Sequence, residues 1–320
     1  MNERSILVAE ISGCRPGCRP TEDLDFGSLD KVVISNDSRG YRTSWPIVDV
    51  PSEYRERFIR DCAIDEGWRA PMNRNYAIEY ARANGYRYLV QCDDNIKTLH
   101  LGSKFRMRSA RGSLRFSAPY WQSITAEQAI KVFVALLQDT NAAVVGGAMM
   151  AVLGQGAAFV AERYCYSFFA MDLERIGATR FSGCFEDDIE FRFKLARTEC
   201  PTLQVPVITY GKTTTGGDNS GNRALYSDVG MARGKVMSML YGDKYRARVS
   251  PNGRKSTVRS TESCFAHTIK RFQVGVKELA PGMPHFKAAI AELFGREPKV
   301  KMADRSSRRV KGWRDKSRKV

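Results

Sequence analysis

The chain has 320 residues, and its 51 Lys and Arg against 35 Asp and Glu give a formal net charge of +16 and a pI near 9.6. Hydrophobic residues at 43% and aromatic residues at 10% suffice for a sizeable core, which excludes disorder over the whole chain. No apolar run approaches the ~18 residues that a membrane span needs, and the first residues lack the layout of a signal peptide. We therefore expect a folded cytoplasmic protein with no membrane span.

The positive charge is concentrated in three segments. Residues 104–115 carry +5, residues 233–259 carry +7 and residues 296–320 carry +8, so the rest of the chain has a net charge of −4. Basic surfaces bind nucleic acid through phosphate neutralisation and counterion release. The distribution favours a nucleic-acid partner, and the alternative is a solvated tail with ordinary surface Lys and Arg.

Strands and helices alternate along the chain. Apolar and β-branched runs predict strands at 6–11, 31–35, 86–92, 142–145, 164–171 and 203–209. Helical spacing predicts helices that begin after Pro51 and Pro71, and others at 126–138, 187–197, 220–241, 261–277 and 285–294. This alternation predicts an α/β fold, a Rossmann-like central sheet that is mostly parallel, with flanking helices.

Acidic residues follow the predicted strand at 86–92, as Asp93-Asp94-Asn95. In open α/β sheets, ligands bind beyond the carboxyl ends of strands. Adjacent carboxylates repel each other unless a cation compensates, and oxygen ligands of this kind suit Mg²⁺ or Mn²⁺. The pattern indicates a metal site, and the alternative is a solvated turn.

A second acidic group, Glu186-Asp187-Asp188-Ile189-Glu190, opens the predicted helix at 187–197. Acids in a first helical turn also suit the helix dipole and the N-cap, so this group alone has a purely structural explanation. Together with the first group, it predicts a metal and diphosphate site at one segment and a general base at the other.

In this order, the motifs resemble those of nucleotide-sugar glycosyltransferases with the GT-A fold. An Arg-Asn-x-Ala helix, here Asn73-Arg74-Asn75-Tyr76-Ala77, precedes the strand that ends in the D-x-D-type motif, here Asp93-Asp94-Asn95. A later helix start, here Asp187-Asp188-Ile189-Glu190-Phe191 with Lys194 beyond, matches the motif that carries the catalytic base, although Lys194 stands where Arg is usual. The resemblance covers about residues 31–209.

The resemblance implies a role for each motif. Asp188 would be the general base of an inverting reaction, with Asp187 beside it in the catalytic pair, whereas a retaining mechanism would not need that base. The metal, Mn²⁺ or Mg²⁺, would be bound by Asp93, Asp94 and Asn95. The nucleotide-sugar donor, such as a UDP-sugar, would be bound by Asn36, Asp37, Arg74, Asp93 and Lys212.

Within that fold, the chain resembles the phage glycosyltransferases associated with TET/JBP-type dioxygenases, through residues 210–220 and its basic C-terminal half. This resemblance implies that the acceptor is a hydroxymethylated pyrimidine, such as 5-hydroxymethylcytosine, in DNA, and that the enzyme acts in a host cytoplasm. Rings among the basic residues suit phosphate contact and base stacking. The residues expected to contact DNA are Lys104, Arg106, Arg108, Arg111, Arg115, Lys244, Arg246 and Arg248.

Three parts of the chain are expected: a GT-A-like catalytic domain at 1–215, a helical C-terminal extension at 216–295 that contacts the acceptor, and a basic, disordered tail at 296–320. Other functions remain open. The acceptor would otherwise be a carbohydrate, lipid or protein. The chain would otherwise be a non-enzymatic nucleic-acid-binding protein, or a metal-dependent nuclease or polymerase-like enzyme that uses paired carboxylates.

Overall fold

The computed structural model describes residues 5–13, 17, 19–62, 69–103, 106–108, 114–116, 120–149, 160–163, 165–182, 187–213 and 274–295. The strands are β1 (Ile6–Ser12), β2 (Asp30–Ser35), β3 (Ile47–Asp49), β4 (Tyr88–Asp93), β5 (Ile96–Ser103), β6 (Arg106–Arg108), β7 (Leu114–Phe116), β8 (Tyr120–Ser123), β9 (Val144–Met149), β10 (Ala161–Glu162), β11 (Phe168–Asp172) and β12 (Thr202–Lys212). The helices are α1 (Ser52–Cys62), α2 (Arg69–Ala83), α3 (Ala126–Asp139), α4 (Asp187–Arg197) and α5 (Pro284–Phe294). The predicted helix at 220–241 and the first thirteen residues of the one predicted at 261–277 lie outside the described residues. The last four residues of the second helix, 274–277, are described and are not helical.

A ten-stranded sheet forms the centre of the fold, in the order β3-β2-β1-β4-β11-β9-β12-β5-β8, with β10 beside β12, while β6 and β7 form a separate pair. The expected α/β class, with a large central sheet and flanking helices, is confirmed. The sheet is mixed, however, whereas we expected it to be mostly parallel. Strands β3, β2, β1 and β4 are parallel neighbours, but β11 is antiparallel to both β4 and β9. Parallel neighbours need a long crossover, and the described residues contain no helix between β9 and β11.

Apolar side chains pack on both faces of the sheet. Alternation along β1 directs Leu7, Ala9 and Ile11 into a core with α1, α2 and α4, and directs Ile6 and Val8 into a core with α3 and α5. Because both faces are covered, the strands are apolar along their length. No helix among the described residues is long and apolar enough to span a bilayer.

Gly146 and Gly147 lie inside β9, beyond residue 145, where the sequence predicts the end of this strand. A Cβ on Gly146 would stand 2.7 Å from the carbonyl oxygen of Phe168 on β11, and one on Gly147 would stand 3.0 Å from the carbonyl oxygen of Ile208 on β12. The two glycines therefore allow three strands to pack closely.

Helix α2 carries a run of buried polar residues. Met72, Ala77, Ile78 and Ala81 pack against the sheet, as expected for a helix on its face. The residues at 73–75 (Asn, Arg, Asn) are also buried, at 1%, 7% and 4% exposure. Buried polar side chains are costly unless they are hydrogen-bonded, so α2 points to a polar site beneath it.

Candidate active site

The carboxyl ends of three parallel strands meet at one edge of the sheet. Ser12 at the end of β1 is in register with Ser35 at the end of β2, and Ile11 is in register with Asp93 at the end of β4. The predicted metal and donor residues follow these strands. The fold therefore brings Asn36, at the end of β2, to the same edge as the Asp93-Asp94-Asn95 turn.

Asp93 is held by two cations. Its Oδ1 accepts a 2.7 Å hydrogen bond from Nη2 of Arg74, and its Oδ2 accepts one of 2.7 Å from Nζ of Lys212. Nζ of Lys212 also donates to Oγ of Ser167, at 2.8 Å. Burial favours the neutral acid, but the charges of Lys212 and Arg74 outweigh it and hold the pKa of Asp93 well below its ordinary value. Asp93 is therefore ionised under ordinary conditions.

Arg74 links β4 to the first residue of α4. Besides Asp93, its guanidinium donates from Nη1 to Oε1 of Gln91 at 3.3 Å, and its Nε lies 3.5 Å from Oδ2 of Asp187. The rings of Phe169 and Phe181 lie 5.5 and 5.7 Å from the guanidinium carbon. Although burial disfavours the charge, Asp93, Asp187 and Asp188 raise the pKa of Arg74. We call Arg74, Gln91, Asp93, Ser167, Asp187 and Lys212 the Asp93 cluster.

The two asparagines that flank Arg74 position the neighbouring segments. Nδ2 of Asn75 donates to the carbonyl oxygen of Phe181 at 2.7 Å, and its Oδ1 accepts from the Phe181 amide at 2.8 Å. Nδ2 of Asn73 donates to the carbonyl oxygen of Ser12 at 2.7 Å and to Oδ1 of Asn36 at 3.3 Å. Three successive residues of α2 therefore hold the ends of β1 and β4 and the chain that leads towards α4.

Asp94 turns to the other face of the sheet, where it meets residues that the sequence motifs did not single out. Its Oδ2 accepts a 2.7 Å hydrogen bond from Oγ of Ser12, which also lies 2.8 Å from the hydroxyl of Tyr41. The charge of Asp94 acts on Glu10, a fully buried carboxylate inside β1. Arg19 lies over the Tyr41 ring, 4.9 Å from its centre.

Glu10 and Arg19 form a buried ion pair in which Nε of Arg19 lies 2.6 Å from Oε1 of Glu10. Burial outweighs the charge and hydrogen bond of Arg19 and raises the pKa of Glu10 to about 7. Oε2 of Glu10 and both Nη atoms of Arg19 are buried without a hydrogen-bond partner in the described part of the chain. We call Glu10, Ser12, Arg19, Tyr41 and Asp94 the Glu10 cluster.

Asn95 and the end of β12 complete the site. Asn95 is 4% exposed, and its Oδ1 is a buried acceptor with no hydrogen-bond partner among the described residues. Its carbonyl oxygen accepts from the amide of Thr213 at 2.9 Å, directly after Lys212. Asp93 thus contacts two other predicted site residues, Arg74 and Lys212. The three come from a helix and two strands that are distant in the chain.

Asp188 lies close enough to Arg74 for its charge to contribute to the raised pKa of that guanidinium. Glu190 lies two residues after Asp188 on α4 and is 5% exposed. Its carboxylate lies 3.5 Å from the ammonium of Lys194, at the two positions where the family motif has an acidic and a basic residue. Asp37 is partly exposed and forms an ion pair with Arg39 at 2.7 Å. The structure therefore brings Asp187 and Asp188 to Arg74, and Asp37 to Arg39.

The residues expected to contact DNA cannot be placed in the same way. Arg106 and Arg108 lie in β6 and Arg115 lies in β7, but their side chains are outside the described part of the structure. The other five also lie outside the described residues, namely Lys104, Arg111, Lys244, Arg246 and Arg248. The acceptor residues stay predictions.

The donor atoms present at this edge are oxygens, the type that Mg²⁺ and Mn²⁺ prefer. In the described part of the chain, no group of three or more His, Cys, Asp and Glu side chains is arranged to hold a metal ion. The unpartnered Oδ1 of Asn95 and the neighbouring carboxylate of Asp94 nevertheless fit a hard cation, because a buried acceptor without a donor lacks a positive partner.

Neither a family model nor a curated protein sequence matches the chain. Among solved structures, it is similar to glucosyl-3-phosphoglycerate synthase from Mycobacterium tuberculosis, in complex with Mn²⁺, uridine diphosphate and glucosyl-3-phosphoglycerate, at 12% identity and a TM-score of 0.43 over 77% of this chain and 84% of that one. The same enzyme with Mg²⁺ and uridine diphosphate gives 11% identity and a TM-score of 0.42 over 82% of this chain and 86% of that one. A putative nucleotide-diphospho-sugar transferase from Desulfovibrio desulfuricans G20 gives 11% identity and a TM-score of 0.38 over 70% of this chain and 91% of that one. At these values, the likeness alone does not carry an activity over to this chain.

Proposed function

We propose that the chain is a glycosyltransferase that uses Mg²⁺ or Mn²⁺ and transfers a sugar from a nucleotide-sugar donor, such as a UDP-sugar, to a hydroxymethylated pyrimidine in DNA. The convergence of carboxylates from two distant segments carries the proposal. Asp93 at the end of β4 and Asp187 at the start of α4 both contact Arg74, at 2.7 and 3.5 Å. A diphosphate and a sugar hydroxyl need this combination of fixed cations and carboxylates within one site.

Asp93, Asp94 and Asn95 would hold the cation, which neutralises charge on the leaving nucleoside diphosphate. The unpartnered Oδ1 of Asn95 supports this assignment. Arg74 is buried, and its guanidinium contacts Gln91, Asp93 and Asp187. It therefore orients the two carboxylates, and a contact with the diphosphate would come in addition to these three. Lys212, which contacts Asp93, and Asn36, which contacts Asn73, would bind the nucleotide-sugar donor.

Asp188 would accept the proton of the acceptor hydroxyl as the hydroxyl attacks the anomeric carbon of the sugar. Its position near Arg74 supports this role, because it places the Asp188 carboxylate beside the residue that also contacts Asp93. Asp187, paired with Arg74, fixes where α4 begins and so where Asp188 lies.

DNA is proposed as the acceptor because of the three basic segments of the sequence, at 104–115, 233–259 and 296–320. Neutralisation of phosphates by these segments would hold the duplex. A hydroxymethylated base would then have to leave the base stack to reach Asp188.

The test is to incubate the protein with Mg²⁺ or Mn²⁺, a panel of nucleotide sugars, and DNA with or without hydroxymethylated pyrimidines, and to measure nucleoside masses after digestion. We expect a hexose mass shift only with the hydroxymethylated DNA. Hydrolysis of a nucleotide sugar without transfer to any DNA would contradict the DNA acceptor and leave the carbohydrate, lipid or protein acceptors. Failure to bind any nucleotide sugar would contradict the whole proposal.

Asp188→Asn tests the proposed base. Because a general base contributes about 100-fold or more to the rate, we expect this variant to lose transfer by at least that factor while its donor affinity is unchanged. Asp61→Asn, at an exposed acid of α1, is the matched control and should keep the wild-type rate. Transfer by Asp188→Asn at the wild-type rate would show that Asp188 is not the base.

A further inference from the structure

The ammonium of Lys212 occupies a position beside Asp93 that a metal cation bound to this carboxylate would also need. Its ammonium lies 2.7 Å from Oδ2 of Asp93, while Oδ1 of the same carboxylate is taken by Arg74 at 2.7 Å. Each oxygen of Asp93 therefore has a protein cation as its partner. Asp93 cannot keep both partners unchanged and also coordinate a metal, because like charges at this distance repel each other.

The fold directs Lys212 to this position. The pairing register between β12 and β5 shifts between Gly211 and Lys212, which are paired with Thr98 and Ile96. Such irregularities re-aim side chains and recur beside active sites. The next amide, of Thr213, is bound to the carbonyl oxygen of Asn95 at 2.9 Å. The main chain is thus fixed to the acidic turn, and only the long side chain of Lys212 reaches Asp93.

The two cations that hold Asp93 differ in how firmly the protein holds them. The guanidinium of Arg74 is buried at 9% side-chain exposure and cannot leave without breaking three contacts. Lys212, at 18% exposure and with a flexible stem, is the partner of Asp93 that can move.

We propose that Lys212 is an internal competitor for the cation site: its ammonium occupies Oδ2 of Asp93 in the donor-free protein, and it must leave that oxygen when a divalent cation binds there. Lys212 thereby sets how tightly the site holds the cation. The identity of that cation as a cofactor of sugar transfer rests on the proposed function, whereas the competition itself does not.

The displaced ammonium stays at the same edge, because its main chain is bound to Asn95. A nucleoside diphosphate is the anion that such a site would accept, and Lys212 would bind it as a compact point charge. Cation binding and donor binding are thereby coupled through one side chain.

The experiment measures Mn²⁺ binding by electron paramagnetic resonance of the free ion, with the full chain and without nucleotide sugar or acceptor. Lys212→Met keeps the length of the side chain and removes its charge. A charge-assisted hydrogen bond contributes about as much as a tenfold change in a binding constant, so we expect Mn²⁺ to bind to this variant about tenfold more tightly than to the wild type. Lys212→Arg keeps the competing charge and should bind Mn²⁺ within about threefold of the wild type.

Lys97→Met is the matched control, because it removes an exposed lysine from β5 without touching Asp93. Affinity in Lys97→Met should stay at the wild-type value. Equal or weaker Mn²⁺ binding in Lys212→Met would overturn the proposal, as would an equal gain in Lys97→Met or a lack of binding in every variant. If the wild type binds no Mn²⁺ and Lys212→Met does, the proposal is supported.

Unfolding of each variant by urea, followed by circular dichroism, separates a loss of fold from a change in affinity. Tighter binding in Lys212→Met with no transfer to any acceptor would support the competition while contradicting the proposed function. Sugar transfer to an acceptor, together with an Mn²⁺ affinity that Lys212→Met leaves unchanged, would support the proposed function and contradict the competition.

Discussion

Asp93 and Asp94 are neighbours in the chain, yet they belong to two clusters with different electrostatics. In the Asp93 cluster, Arg74 and Lys212 hold the pKa of Asp93 well below its ordinary value despite its burial. In the Glu10 cluster, burial outweighs the charge and hydrogen bond of Arg19 and raises the pKa of Glu10 to about 7. Charge decides the protonation state of the carboxylate in one cluster, and burial decides it in the other.

The difference follows from the side-chain alternation of a β-strand. Asp93 lies on the face that α2 covers, so it meets Arg74, whereas Asp94 begins the turn and reaches Ser12 on β1. Among the described residues, buried polar atoms without a hydrogen-bond partner occur on both sides of the sheet, at Glu10 and Arg19 on one side and at Asn73 and Nε of Arg74 on the other.

Removal of the Asp93 charge should have the largest effect. Asp93→Asn leaves the buried Arg74 and the half-buried Lys212 without their carboxylate, and the loss of one partner of a buried ion pair costs roughly 3 kcal/mol or more. Asp94→Asn should cost less than about 1.5 kcal/mol, since its amide oxygen can still accept the Ser12 hydrogen bond. Urea unfolding at pH 7 measures both, and equal losses would contradict the difference between the clusters.

Glu10→Gln tests the second cluster through pH. The pKa of Glu10 is raised by burial from 4.5 to about 7, so its contribution to stability is fully present below pH 4.5 and is lost as the pH rises through 7. The shift corresponds to roughly 3 kcal/mol. Between pH 4.5 and 8, the free energy of unfolding of the wild type should therefore fall relative to that of Glu10→Gln, because glutamine does not titrate.

The control for this comparison is Glu53→Gln, at an exposed residue in the first turn of α1. Its unfolding free energy should follow the wild-type pH profile. Parallel profiles for wild type and Glu10→Gln would mean that Glu10 does not titrate differently in the folded and unfolded protein.

The smallest effect is expected at Ser12, whose hydroxyl joins Asp94 to Tyr41 at 2.7 and 2.8 Å. Ser12→Ala should reduce the free energy of unfolding by about 1 kcal/mol, the usual value for one buried hydrogen bond. Tyr41→Phe removes the other end of the same link and leaves the Ser12–Asp94 bond, so it should cost less. A larger loss in Tyr41→Phe, measured by urea unfolding, would place the main partner of Tyr41 elsewhere.

Much of the site was predictable because its residues stand where elements begin or end. Asp93 ends a strand and Asp187 starts a helix, and such boundaries can be recognised from polarity and spacing alone. Arg74 was predicted from the motif of α2 as a residue of the donor pocket, but its partners could not be known, because Gln91, Asp93 and Asp187 approach it only in the folded chain.

Glu10 and Arg19 were missed for different reasons. Glu10 interrupts the apolar strand Ile6–Ser12, and a charge inside a buried strand is a signal that could have been used. Arg19 comes from a loop without periodicity, so the residues around it in the sequence do not predict an ion pair. The direction of β11 was also out of reach, since apolar patterning does not distinguish parallel from antiparallel neighbours.

Helix α5 packs against α3, in the core on the face opposite α2. Asp139 at the end of α3 accepts a hydrogen bond from the Phe286 amide at 2.7 Å, and Glu162 accepts one from the Val274 amide at 2.6 Å. Residues 274–295, which follow β12 in the chain, are therefore bound to the central fold. A chain shortened at Gly295 loses the basic tail and keeps this closure. A chain shortened at Thr213 loses Phe286, Ile290 and Leu293 of α5 from the core that they share with α3, and we expect it to aggregate because apolar surface is exposed. A truncation that tests the proposed DNA binding of residues 296–320 without disturbing this closure must therefore be made beyond residue 295.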